Sequence, residues 1–300
     1  MYRIALFNVD CFSSARSIQE IIIKHHDQIK LVVLSDPVKT KRGNLFYQTY
    51  VNFKASGLRF VCYLFLNFVV HPKMTKISHW LGRIVKKHPT YYSIDYLCKK
   101  YDIQCIKTGN INSTEVEEML KKLSIDLITI YYFDQIIKEN IISIPKYGVI
   151  NFHPAWLPYC RGLHPVMYSI IKNNAKFGMT AHEITDERID AGDILHQKEI
   201  NITDADQKYI FKVESDVVYQ GVEVYDDVIS NLESFKERSR KQTEGSYFSH
   251  PSRADVKDLL NKGYQIISPV GFWRLYRLRK SSVLPPGGQY QEDSNCTPKS

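Results

Sequence analysis

Short runs rich in Val, Ile and Leu at residues 2–8 (YRIALFN), 30–35 (KLVVLS), 127–131 (LITIY) and 148–152 (GVINF) alternate with segments whose apolar residues recur at helical spacing. Continuous apolar runs of this length suit strands buried on both faces, and their alternation with helices leads to a largely parallel sheet covered on both sides. Residues 13–26, where Ile18, Ile21 and Ile22 share a face, form the first expected helix. Residues 92–101 read as a helix and 104–107 as a short strand. Residues 113–123 read as a helix that Ser113 can cap, with Val116, Met119, Leu120 and Leu123 in one stripe. Two more strands are expected at 180–184 and 194–197, and a long helix at 210–235. The fold class is α/β: a Rossmann-like, largely parallel sheet with helices on both faces.

Residues 39–89 break this rhythm and read as an insertion, made of a basic loop and the apolar run 60–70 (FVCYLFLNFVV). That run is far shorter than the roughly 20 residues a membrane-spanning helix needs, so no membrane span is expected. A buried or interfacial helix fits better. Flanking Arg59, Lys73 and Lys76 leave a membrane-surface role open, but packing against the body or against a second subunit, as in a homodimer, is the preferred reading.

The formal net charge of +8 would suit a polyanion, a phosphorylated metabolite or an anionic surface, and its sign alone does not choose. The basic-aromatic stretch 272–280 (FWRLYRLRK) is read as a helix with a solvated basic face, because no nucleic-acid recognition motif accompanies it. The six cysteines, at 11, 62, 98, 105, 160 and 296, show no C-x-x-C spacing, so neither a structural zinc nor any other metal is expected. Residues 1–9 lack the length and cleavage pattern of a signal peptide, which makes a cytoplasmic location the default.

In open α/β sheets ligands bind outside the carboxyl ends of the strands. A polar cluster begins at one of those ends: Asn151 and His153, two residues apart on one face of a strand, precede Pro154. An amide donor beside a titratable ring could stabilise an oxyanion and move a proton. A turn with Arg161 and Gly162 follows, and then an acidic loop, Asp186 to Asp193, containing Asp190 and Gly192. A carboxylate brought against His153 would hold the ring and favour its imidazolium form. Taken singly, Asn151 could be a turn residue, His153 a structural histidine and Asp190 a loop cap.

The ordered set N-x-H-P-x-x-L-P-x-x-R-G, then T-x-H, then D-x-G resembles the folate-dependent formyltransferases, over roughly residues 103–200. The resemblance implies the formyltransferase fold and a one-carbon transferase with 10-formyltetrahydrofolate as donor. It makes Asn151, His153 and Asp190 catalytic. Asn151 and His153 would polarise the formyl oxygen, while Asp190 would orient His153 and a water. Tyr132, Phe133, Gln135, Ile136 and Ile137, with Ile189 and Gly192, would form the donor site, although ordinary core filling also explains the isoleucines. His182, Arg161 and Tyr247 are candidate substrate contacts; His182 also fits a plain strand, and Arg161 a loop anchor. Cys160 reads as loop packing.

Departures from the family pattern bear on the acceptor. The first strand-to-helix turn, residues 8–14 (NVDCFSS), lacks the glycine-rich phosphate loop of glycinamide ribonucleotide formyltransferases. Methionyl-tRNA formyltransferases resemble the core but carry a C-terminal barrel of on the order of a hundred residues, longer than the tail here. The segment 245–251 (GSYFSHP) resembles the one that follows the catalytic domain in enzymes formylating nucleotide-linked amino sugars. The expected acceptor is therefore the amine of a nucleotide-linked amino deoxysugar for surface polysaccharide synthesis, a small molecule rather than a nucleic acid. The alternatives are a methionyl-tRNA formyltransferase, a formyltetrahydrofolate hydrolase releasing formate, and a non-catalytic folate-binding paralogue. The domain reading is a catalytic domain over 1–240, a small C-terminal appendage over 241–284, and a Pro/Gly/Ser-rich tail over 285–300 without fixed structure.

Overall fold

A computed structural model of the chain describes residues 1–36, 45–202 and 208–266. Strand β1 (Ile4–Asn8) leads through α1 (Phe12–His25) to β2 (Ile29–Ser35). After the inserted segment and α5 (Ile94–Lys100) come β3 (Gln104–Thr108), α6 (Thr114–Lys122), β4 (Leu127–Tyr131), α7 (Glu139–Ile142) and β5 (Val149–His153). A two-residue strand β6 (Arg161–Gly162) and α8 (Pro165–Lys172) precede β7 (Phe177–Ile184) and β8 (Ile194–Ile200). The sheet order is β3-β2-β1-β4-β5-β7-β8. The strands from β3 to β5 pair in parallel, whereas β7 runs antiparallel to β5 and β8 antiparallel to β7.

Period-two alternation divides the buried side chains between the two faces. From β1, Ile4 and Leu6 join Ile18, Ile22, Val217 and Tyr225 on one side, while Ala5 and Phe7 join Val116, Leu120 and Ile141 on the other. Every residue of β1 and of β4 is buried, as the unbroken apolar runs require.

Three local expectations change. The helix expected over 210–235 is divided into α9 (Ile210–Gln220), α10 (Val222–Ser230) and α11 (Leu232–Glu237). The first break falls at Gly221, where a Cβ would lie only 2.1 Å from the Met179 side chain of β7. Ser113 occupies the cap position of α6, but its hydroxyl makes no capping bond. Residues 246–251 (SYFSHP), whose composition reads as irregular, contain β9 (Tyr247–Phe248), which pairs in parallel with β6. After it, α12 (Arg253–Asn261) starts on a reciprocal capping box between Ser252 and Asp255.

The insertion is helical: α2 (Leu45–Ser56), α3 (Leu58–Phe65), a π-helical turn over Leu66–Val70, and α4 (His71–Val85). The chain leaves α4 through Lys86 in the left-handed region (φ 51°), with the Lys87 N–H donating to the Gly82 carbonyl at 2.9 Å. Among the described residues no helix is long and apolar enough to cross a membrane. The basic stretch 272–280 and the tail 285–300 lie outside the described residues.

Candidate active site

The antiparallel pairing of β5 and β7 places Asn151 directly opposite His182, and His153 opposite Thr180. Cross-strand partners lie close enough for their side chains to meet, and the Asn151 Nδ2 donates to His182 Nε2 at 3.1 Å. His182 Nδ1 carries the proton, because it bonds the Glu183 carbonyl at 3.0 Å, which can only accept. The loop joining β7 to β8 then folds back over this pair. Asp190, in the left-handed region (φ 49°), aims its carboxylate at the sheet.

That carboxylate is the hub of the site. Oδ1 accepts from Asn151 Nδ2 at 2.9 Å and lies 3.3 Å from His182 Nε2. Oδ2 accepts from the Gly162 N–H at 2.8 Å and lies 3.5 Å from His153 Nδ1. Burial alone would raise the Asp190 pKa. The positive charge that His153 and His182 carry when protonated, together with the Gly162 N–H, outweighs it and holds the carboxyl well below the ordinary carboxylate value. Burial lowers the His153 pKa, opposed by the Asp190 charge and by the bond to Cys160. We take the pair as a carboxylate beside a neutral imidazole, since the Gly162 N–H and the Asn151 amide hold charge on Asp190 whatever the state of the ring. His153 Nε2–H donates to the Cys160 carbonyl at 2.9 Å, so Nδ1, facing the carboxylate, is the basic nitrogen.

Gln242, a residue without a sequence signal, helps hold the acidic loop in place. Gln242 Nε2 donates to the backbone carbonyls of Asp190 (3.0 Å) and Gly192 (2.7 Å), and Gln242 Oε1 accepts from Arg161 Nη2 at 2.8 Å. Arg161 also donates to the Thr243 carbonyl at 3.0 Å. Of the two readings of Arg161, the structure shows the loop anchor: its guanidinium is engaged by the chain and does not line the cavity. Glu183, next to His182, offers its carbonyl 1.7 Å from where a Cβ on Gly192 would stand. Gly192 therefore serves the close approach of loop and strand and is not on the cavity wall.

A cavity of about 750 Å³ opens beside this cluster. Asn151, His153 and Asp190 form part of one wall, and His182 lies buried behind them. Tyr132, Phe133, Gln135, Ile136, Ile137 and Ile189 all line it, so the loop after β4 and the acidic loop face the same space. The Gln135 side chain is committed elsewhere: Oε1 accepts from the Ile111 N–H at 3.0 Å and Nε2 donates to Ser35 Oγ at 2.8 Å. Its contribution is to fix the loop, leaving the aromatic and aliphatic side chains as the wall. Tyr247 lines the cavity as well, because β9 pairs with β6 and carries it there, with His250 just beyond.

The sequence did not reveal the remaining wall, which the insertion supplies through Val61, Phe65, Phe68 and Val69 with Asn52 of α2. A buried polar network fastens that wall to the body. Glu214 on α9 accepts from Tyr132 Oη and Ser13 Oγ, each at 2.8 Å, and from Tyr63 Oη at 2.5 Å. Asn67 in the π-helical turn accepts from the Ser13 N–H at 3.1 Å. The amide nitrogen at the start of α1 is thus occupied by the insertion.

Cys160 lies buried with Ala155, Tyr168 and Phe248, and burial raises its thiol pKa, which suits packing rather than nucleophilic attack.

Residues 84–229 match the family model described as Formyl transferase. The chain is 28% identical over 178 residues to a methionyl-tRNA formyltransferase of Ehrlichia canis (strain Jake), covering 59% of this chain and 56% of that protein. It is 35% identical over 119 residues to one of Ureaplasma parvum serovar 3, covering 40% and 38%. The chain thus spans only about half the length, or less, of these curated relatives. A crystal structure of phosphoribosylglycinamide formyltransferase from Streptococcus pneumoniae TIGR4 superposes with a TM-score of 0.51 at 14% identity, covering 78% of this chain and 99% of that one, and shows the same fold.

Proposed function

We propose that the chain, which matches the Formyl transferase family model over residues 84–229, moves a formyl group from 10-formyltetrahydrofolate to the amine of a small acceptor. The observation that carries this reading is the Asp190 carboxylate, which joins Asn151 and sits beside His153 on one wall of a cavity of ligand-pocket size.

The donor fits the residues present. Tyr132, Phe133, Ile136, Ile137 and Ile189 offer the apolar walls a flat heterocycle needs. When bound, the folate supplies the activated formyl group. The chain's own residues do the rest. Asn151 turns an amide N–H from Asp190 or His182 to the formyl oxygen, so negative charge developing there meets a hydrogen-bond donor. The acceptor nitrogen bonds the formyl carbon and becomes cationic. His153 Nδ1 takes up its proton, and Asp190 balances the resulting imidazolium. As the tetrahedral centre collapses, the bond to the folate nitrogen breaks, the proton passes to that nitrogen and tetrahydrofolate leaves.

For the acceptor we favour a nucleotide-linked amino deoxysugar. Support comes from Tyr247 and His250 of the GSYFSHP segment, both on the cavity wall. The Ser13 N–H, held by Asn67, argues against a phosphate at the start of α1. Similarity to methionyl-tRNA formyltransferases favours a second reading, with charged initiator tRNA as acceptor. Incubation with 10-formyltetrahydrofolate and a panel of nucleotide-linked amino sugars, with methionyl-tRNA in parallel, distinguishes them. An amino sugar that gains the mass of one carbonyl group is the expected result. Formylation of the tRNA alone supports the second reading, and formate release without any amine overturns both.

A further inference from the structure

Helix α4 is amphipathic in the reverse sense for a soluble body. Its buried face consists of His71, Thr75, Ser78 and Gly82, while Ile77, Trp80, Leu81 and Ile84 point outward with 47%, 62%, 40% and 59% of their surface exposed. Their i, i+3, i+4, i+7 spacing makes one apolar stripe. Large exposed side chains continue on α2 and α3, including Phe46, Tyr50, Leu58 and Phe65. Phe65 also lines the cavity, so this surface runs up to the cavity's rim.

The charge of the same segment is one-sided. Residues 37–94 hold ten of the 40 Lys and Arg residues and none of the 32 Asp and Glu, so they carry +10 and the rest of the chain is nearly neutral at −2. Lys73, Arg83, Lys86 and Lys87 are exposed at or beside α4. Two copies meeting through this face would bring like charges together. A polyanionic nucleic acid would use the cations but leave the Trp80 stripe in water.

We propose that α2–α4 dock the protein on an anionic lipid surface, with the α4 stripe entering the boundary between headgroups and acyl chains and the surrounding Lys and Arg side chains meeting lipid phosphates. Such a helix lies in the plane of the interface, held by apolar burial and by attraction that salt weakens. This assignment does not depend on which amine is formylated.

Sedimentation of the full chain with vesicles tests it. Binding is expected to vesicles of phosphatidylcholine mixed with phosphatidylglycerol, to fall as salt rises, and to be weak on phosphatidylcholine alone. The double variant Trp80→Ser/Ile84→Ser, at exposed positions that leave thermal unfolding unchanged, should bind mixed vesicles at least about tenfold more weakly. Arg83→Glu/Lys87→Glu should lose affinity and flatten the salt dependence. The proposal is overturned by no binding to mixed vesicles or by unchanged binding of Trp80→Ser/Ile84→Ser. Self-association without lipid that this variant abolishes would assign the face to a second copy and also overturn it. So would tight binding of duplex RNA that depends on Arg83 and Lys87 but not on Trp80.

Discussion

The Asn151 amide nitrogen stands 2.9 Å from the Asp190 carboxylate, although the two residues are separated by 39 positions in the chain. Both amide hydrogens are thereby engaged before any substrate arrives, one by Asp190 and one by His182. Asn151→Ala should lower kcat for formyl transfer by about 10²–10³-fold, the cost typical of losing one oxyanion donor. Tetrahydrofolate affinity, read by calorimetry, should change little. A variant with wild-type kcat would remove Asn151 from the chemistry.

Asp190→Asn separates the carboxylate's electrostatic role from its shape. Burial lowers the His153 pKa and the Asp190 charge raises it, so the acidic limb of kcat/KM should lie below the ordinary histidine value of about 6.5 and move lower still in the variant. The basic form of the ring is retained at neutral pH, yet kcat should fall because the imidazolium has lost its counter-charge. A limb that moves upward contradicts this assignment.

Burial raises the Glu214 pKa, opposed by hydrogen bonds from Tyr63, Ser13 and Tyr132. An acid whose folded pKa exceeds its unfolded one, about 4.3, binds protons more tightly when folded. Its contribution to stability is therefore fully present below the unfolded value and declines as pH rises through the folded one. In urea titrations across this window, Glu214→Gln should lose less stability than the wild type. Glu214→Ala, which leaves three hydroxyls without their acceptor, should cost about 3 kcal/mol.

Gly192→Ala has no room for its methyl group. A Cβ 1.7 Å from the Glu183 carbonyl forces the acidic loop off β7, at a cost of about 3 kcal/mol in stability. Activity should drop even where the variant remains folded, because Asp190 is displaced with the loop. Unfolding by urea and kcat, measured on the same sample, read the two effects separately.

Much of this site is legible in the sequence because strand periodicity puts Asn151 and His153 on one face and the ordered motifs supply Asp190. Gln242 leaves no such trace: a lone glutamine in a polar segment acquires its role only when two distant backbone carbonyls arrive beside it. Gly192 reads as a ligand contact by its motif, whereas its reason lies in the carbonyl of Glu183 across the hairpin. The insertion is visible as an interruption, but its place on the cavity wall depends on Tyr63 meeting Glu214 and on Asn67 meeting Ser13, contacts across stretches of chain that no local pattern connects. Charge leads to the same lesson, since a total of +8 conceals a segment of +10 on a nearly neutral body.

The antiparallel junction of β5 and β7 has a consequence for how the protein could change over time. Side-chain direction alternates with every residue, so the facing of Asn151 and His182 is a matter of parity. Deleting one residue in either strand would turn its polar groups toward the packed interior; deleting two would restore their side but shift them one step along the ladder. Drift in length is therefore tolerable only in the connecting loops, and even there the loop after β7 is constrained by the span from Glu183 to Asp190.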